Sequence, residues 1–282
     1  MRPSIPAPGA SPEDAGHAGR ISSSQLEYEL ELARRVQRSL FPSQLPTVRG
    51  ARLAAVNQPA RIVSGDLYDV IVIDPERVAI LCADVSGKGF PAALMASELH
   101  AYVRATLRAA CVFADTSLGP LPVQVMTLVN HELSRHYGSG RYATMFFAEY
   151  DTGDGMLRYV NAGQNAPLLM APGRPVVQLA DGGPPVGLFE DAAYDVGTVT
   201  VPETGSVLIY TDGVVEALNP AGEEFGLPRL TELFGTMLGN ADGLLEAVME
   251  ALRSWSGARE QGDDITLLAL SAGETRNSQS AG

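Results

Sequence analysis

An α+β domain with mainly antiparallel sheets and helices on the outside is the fold class this sequence predicts. Apolar runs of strand length come in groups joined by turn residues, and paired helical segments interrupt the groups instead of alternating with single strands. With 45% hydrophobic and 19% charged residues, the chain has the balance of one that buries a substantial core.

The 282 residues begin with a segment, 1–23, rich in Pro, Ala, Gly and Ser, and end with one, 271–282, that has no apolar periodicity. Both are expected to be disordered. Ser24 and Glu27 have capping-box spacing and open a linker or regulatory helix within 24–42, before a domain over 43–270. Leu26, Leu30, Ala33, Gln37 and Leu40 recur at alternating steps of four and three. This seam can pair with a second copy, with polar Gln37 fixing the register, or pack on its own domain.

Strands are expected near 51–57, 62–73 and 77–83, followed by helices near 91–110 and 121–137. The second run of strands starts with 142–151 and 156–162, which flank the hairpin turn TGDG, and continues near 166–170, 176–180, 195–201 and 206–210. Helices near 227–239 and 242–255 precede a last strand, ITLLAL, at 265–270. DTGDG (151–155) and DGG (181–183) read as turns.

A formal charge of −13 and a pI near 4.7 exclude the basic stripe of a nucleic-acid surface. No apolar run approaches the roughly 20 residues that span a bilayer, and the N-terminus lacks the apolar core of a signal peptide. Two cysteines, Cys82 and Cys111, are too few for a disulfide framework or a thiolate metal site. A cytoplasmic setting, with no membrane or nucleic-acid partner, is the expectation.

The stretch LCADVSGKGFPAALMA (81–96) has the look of a phosphate-binding loop between strand and helix. A P-loop needs a glycine where Cys82 stands and a hydroxyl residue where Gly89 stands, so that reading fails. What the stretch does place is a carboxylate, Asp84, at the end of a core strand. VSGDLYDV places Asp66 in the same way, SVLIYTDGVVEA places Asp212, and QGDDITLLAL places Asp263 and Asp264 just before the last strand. Carboxylates are rarely buried unless paired or bound to a cation. Together they predict a convergent all-oxygen site for Mg²⁺ or Mn²⁺, since none of His17, His100, His131 and His136 has zinc-site spacing. Two such ions roughly 3.5–4 Å apart can activate water and clamp a phosphoryl group. Taken singly, each of these motifs is more often a turn than a ligand, and Lys88 more often a loop-fixing cation than a catalytic one.

PARIVSGDLYDV, LCADVSGKGFPAALMA, YATMFFAEYD, VNAGQNAPLL, LIYTDGVVEALNPAGEEFG and DDITLL together, in this order, resemble the motifs of bacterial metal-dependent serine/threonine phosphatases of the SpoIIE/RsbU type, within the PPM superfamily. The resemblance implies a central β-sandwich of two antiparallel sheets flanked by helices, with two Mn²⁺ or Mg²⁺ ions at one end. It implies hydrolysis of phosphoserine or phosphothreonine, with Asp66, Asp84 and Asp212 as catalytic metal-holding residues. In it Asp84 is the bridging ligand, the Val85 carbonyl a backbone ligand, Asp212 a further ligand, and Asp66 holds the ions partly through water. Asp263 matches the ligand that opens the C-terminal motif, with Asp264 as the other candidate; neighbouring residues there point to opposite faces, so one of the two reaches the ions.

Gln164 stands where the family commonly has His, and Ser64 where many members have Gly. The expected substrate is a phosphorylated STAS-type anti-sigma-factor antagonist, in a partner-switching stress response. A cysteine phosphatase is excluded, because the positions that would need arginine hold Lys88 and Ser117. An aspartyl-phosphate enzyme is excluded by the absence of any DxD. The remaining alternative is a non-catalytic regulator that binds a phosphoprotein.

Overall fold

The computed structural model describes residues 23–113, 119–137, 140–237 and 239–273. The segments expected to be disordered lie outside these, except that Ser23 already opens the first helix and the last strand runs through Ala272.

Helix α1 (Ser23–Arg38) leads into β1 (Ala51–Gln58), β2 (Asp66–Val72) and β3 (Arg77–Val85), then α2 (Phe90–Phe113) and α3 (Leu121–Tyr137). Next come β4 (Ala143–Asp151), β5 (Met156–Ala162), β6 (Leu168–Met170), β7 (Val177–Gln178), β8 (Gly182–Gly183), β9 (Gly197–Thr200) and β10 (Ser206–Tyr210). The chain continues through α4 (Asp212–Val215), α5 (Gly226–Thr236) and α6 (Ala241–Ser256) to β11 (Ile265–Ala272).

The strands form two sheets, β1-β11-β10-β6-β7 and β2-β3-β4-β5-β8, with β9 also on β5. Every pair is antiparallel except β5–β8. The unbroken apolar run of β3 is explained by burial on both faces. Ala79, Leu81 and Ala83 point to α2 and α3, and Val78, Ile80 and Cys82 point to the other sheet. β11 behaves alike, with Leu268 and Leu270 between the sheets and Leu267 and Ala269 against α5 and α6. The result is four layers: helices, sheet, sheet, helices.

The expected inner face of α2, Ala92, Ala96, Leu99, Val103 and Leu107, is buried at every position. Residues 62–65 are irregular rather than strand, and DGG is not a turn, because Gly182 and Gly183 pair in parallel with Asn161 and Ala162. Among the described residues no helix is long and apolar enough to cross a membrane.

The seam expected on α1 divides. Gln37 is buried, with Nε2 donating to the Ser64 carbonyl (2.6 Å) and Oε1 accepting from the Ser64 N–H (2.9 Å). It does not fix a register between helices; it clasps the chain's own domain. Just after the helix, Phe41 stacks on Tyr68 with ring centroids 5.2 Å apart. Leu26, Tyr28, Leu32 and Val36 stay exposed.

Candidate active site

The five candidate aspartates come to one end of the sandwich. Asp66 and Asp84 face each other across β2 and β3. Their alternation with Tyr68 and Cys82, both in the core between the sheets, turns the two carboxyls toward the opposite sheet. That sheet supplies Asp212 directly after β10 and Asp263 and Asp264 directly before β11. Asp212 stands in the first turn of the short α4, which the sequence reading missed. The glycine of TDG is required there: a Cβ on Gly213 would lie 2.0 Å from the Asp264 carbonyl oxygen.

Asp66 is the floor of the site and only 1% exposed. Its Oδ2 accepts from the hydroxyls of Thr211 (2.7 Å) and Thr266 (2.6 Å), which belong to the facing sheet. Burial and the neighbouring Asp84 push its carboxyl well above the usual range, and the two hydroxyls oppose them. Asp84, half-buried, is raised to about 7 by burial and by the charges of Asp212, Asp263 and Asp264. Asp212 is raised by burial and Asp263, against the Gly213 N–H and Lys88.

The adjacent pair separates as the alternation requires. Asp264 turns to the loop before β2, where its Oδ1 accepts from Ala60 N (2.7 Å) and its Oδ2 from Ser64 Oγ (2.9 Å) and Gly65 N (2.7 Å). Asp263 turns outward, with its Oδ2 2.6 Å from Lys88 Nζ. Lys88 also donates to the Gly262 carbonyl, so it fixes this loop as expected. The glycines on either side of it, Gly87 and Gly89, hold φ of 104° and 74°, which lets SGKG turn between β3 and α2. The Val85 carbonyl lies beside Gly65, 3.4 Å from where a side chain there would begin.

Hard, oxygen-binding cations fit this donor set. Carboxylates that raise one another's pKa bind a divalent ion in place of protons. Among the described residues no three acids close into a cage of ligands. Mg²⁺ needs no such cage, since it binds through one or two carboxylates and keeps several waters. Cys82 offers no competing thiolate, because burial pushes its thiol well up.

Several supports escaped the sequence reading. Ser64, in the place of a family glycine, uses its hydroxyl twice, donating to Asp264 and accepting from Asp66 N (3.1 Å). Gln164, in the place of the family His, accepts from Thr144 Oγ1 (2.6 Å), which lies 3.5 Å from the Asp84 carbonyl oxygen. Asp69 is fully buried against His100 Nε2 (2.8 Å) and Arg104 Nε (2.6 Å). Burial alone would raise its carboxyl, but those two partners outweigh burial and hold it low. For the threonines a signal existed, since Thr211 and Thr266 flank the acidic motifs at strand ends.

Residues 74–273 match the family described as Stage II sporulation protein E (SpoIIE). The chain belongs to the SpoIIE family, and its fold is that of the PP2C-type phosphatase domains. It is 30% identical to Protein IcfG of Synechocystis over 272 residues, 90% of this chain and 43% of IcfG. It therefore spans less than half the length of that relative. It is 27% identical to the phosphoserine phosphatase RsbU of Bacillus subtilis over 252 residues, 87% of this chain and 70% of RsbU. The SiaA-PP2C domain of Pseudomonas aeruginosa superposes with a TM-score of 0.74 at 21% identity, covering 87% of this chain and 96% of that domain.

Proposed function

We propose that this chain is a metal-dependent protein serine/threonine phosphatase. The observation that carries the proposal is the set of mutually repelling aspartates at one end of the sandwich, with Asp84 raised to about 7 by burial and by the charges of Asp212, Asp263 and Asp264. Asp84 and Asp212 would hold the ions, two in number, with the Val85 carbonyl beside them and Asp66 beneath. Divalent cations bound there would supply an acidified water and neutralise phosphoryl oxygens. The hydroxyls of Thr211 and Thr266 fix the orientation of Asp66, and Asp264 holds the 60–65 loop, so the acids are positioned before substrate arrives.

Membership of the family and the likeness to RsbU support a phosphorylated STAS-type anti-sigma-factor antagonist as the substrate, in a cytoplasmic setting. A phosphate-release assay with Mn²⁺ on phosphothreonine peptides and phosphorylated STAS proteins tests this. Release of phosphate is expected. Binding without release would favour the non-catalytic regulator.

Asp263, rather than Asp264, is proposed as the remaining metal ligand: three donors of the 60–65 loop hold Asp264 in place, whereas Asp263 Oδ1 accepts only from the Asp264 N–H and its Oδ2 from the exposed Lys88 side chain, which a cation can displace. Asp263→Asn is expected to weaken Mn²⁺ binding in calorimetry much more than Asp264→Asn. Asp264→Asn should instead lower stability by ~1–3 kcal/mol, because buried donors lose their acceptor. The reverse pattern would transfer the ligand role.

The exposed stripe on α1 supports a homodimer through that helix. Glutamates at Leu32 and Val36, 40% and 66% exposed, should shift the protein toward monomer in light scattering. A wild-type chain that is monomeric at high micromolar concentration would exclude the dimer.

A further inference from the structure

A cleft of about 760 Å³ opens from the aspartate cluster, with Lys88, Gly213 and Asp263 at its inner end. It runs between the segment after α4 and the C-terminal half of α6, over the apolar side chains of Leu218, Met249 and Leu252. A phosphoryl group fills a small part of such a volume. The outer wall is firmly built: Trp255 Nε1 donates to the carbonyls of Ala217 (3.2 Å) and Glu223 (3.3 Å), and the Arg229 guanidinium lies 4.0 Å over the Trp255 ring. Leu218 bridges to Glu224, and Asn219 and Glu223 exchange two further hydrogen bonds.

The cations along the cleft differ in what holds them. Lys88 is paired with Asp263, and Arg253 with Glu250 at 2.6 Å. Arg259, which also lines the cleft, donates to the Asn219 carbonyl (3.2 Å) and has no carboxylate within ion-pair distance among the described residues. In a chain of net charge −13, this is the place where an incoming carboxylate meets an unneutralised guanidinium. Glu216 and Glu260 also line the cleft, but among the described residues neither reaches ion-pair distance of Arg259.

We infer that this cleft binds the polypeptide beside the phosphorylated residue, seating an aliphatic side chain against Leu218, Met249 and Leu252 and an acidic side chain at Arg259. The inference rests on the phosphatase reading, since continuity with the aspartate cluster is what ties the cleft's occupant to the phosphoryl group. It makes the cleft a specificity element for one class of protein segment, apolar and acidic on one side of the phosphorylated residue.

The test compares kcat/KM, with Mn²⁺, for phosphothreonine peptides and for p-nitrophenyl phosphate, an ester that carries no flanking residues. In the peptides, Leu or Ser, and Asp or Lys, are placed at each flanking position in turn. The wild-type protein is expected to prefer Leu over Ser at one position and Asp over Lys at another, by roughly tenfold, the size of one well-filled apolar contact or one rim charge. Leu218→Ser should lower the peptide-to-ester ratio by about tenfold. Arg259→Glu should reverse the preference from Asp to Lys, a change that misfolding cannot produce. Absence of any flanking preference in the wild type, or a ratio and a charge preference unchanged by both substitutions, overturns the inference while ester hydrolysis upholds the phosphatase. If neither substrate is hydrolysed, the phosphatase reading falls, and this inference with it.

Discussion

Asp84→Asn and Asp212→Asn are each expected to reduce turnover of a phosphothreonine peptide at least ~100-fold while the fold is kept. Groups that merely support a metal ligand cost 10–100-fold when removed, so loss of a ligand charge should cost no less. The fold should survive because Asp84 is itself a strained charge: burial and three neighbouring acids raise it to about 7. An amide at that position retains a polar group without the repulsion. In metal-free protein at pH 8, the melting temperature of Asp84→Asn should match or exceed that of the wild type. Near-normal turnover with Mn²⁺ would remove the residue in question from the ligand set.

Removing divalent ions is expected to stop hydrolysis altogether, and adding Mn²⁺ to restore it. Activity that survives complete chelation would overturn the metal-dependent reading. A second readout does not depend on turnover. Asp84 has a folded-state pKa raised above its unfolded value, so in the metal-free protein the native state holds a proton that the unfolded chain has released. Stability should therefore fall as pH rises from about 4 to about 7 and level off above it. A cation among the acids opposes that loss. An ion that binds only the folded state at 100 times its Kd adds ~2.7 kcal/mol. Melting temperatures measured against pH with chelator and with Mn²⁺ should accordingly diverge above about pH 5. Parallel curves would show that the ion does not sit among these carboxylates.

The elements were legible because their causes are local. The run at 78–83, the TGDG hairpin and the periodic face of α2 each depend on neighbours a few residues away, and all fall where the spacing predicted them. Exceptions arise where a distant strand intervenes. Gly182 and Gly183 carry turn residues' signals yet pair in parallel with β5, because the bare glycine backbone can approach that strand where a side chain could not. The aspartates were found as types at strand ends, which the motifs reveal. Their supports were not found, because Thr211 lies 145 residues from Asp66 and Thr266 lies 200 from it. Hydroxyls at such separations meet a carboxylate only once two sheets have packed.

By itself the sequence determined an α+β chain, the order of its longer strands and helices, and a set of five acids whose motifs name a metal-binding phosphatase family. Tertiary structure alone decided which acid of the pair at 263–264 faces outward, that Gln37 clasps Ser64 instead of a second helix, and that Arg259 lines a cleft with no carboxylate in ion-pair distance among the described residues. The physical reason is the same in each case. Apolar periodicity records how often a residue is buried, whereas the partner of a polar group is fixed by the register and packing of segments far apart in the chain.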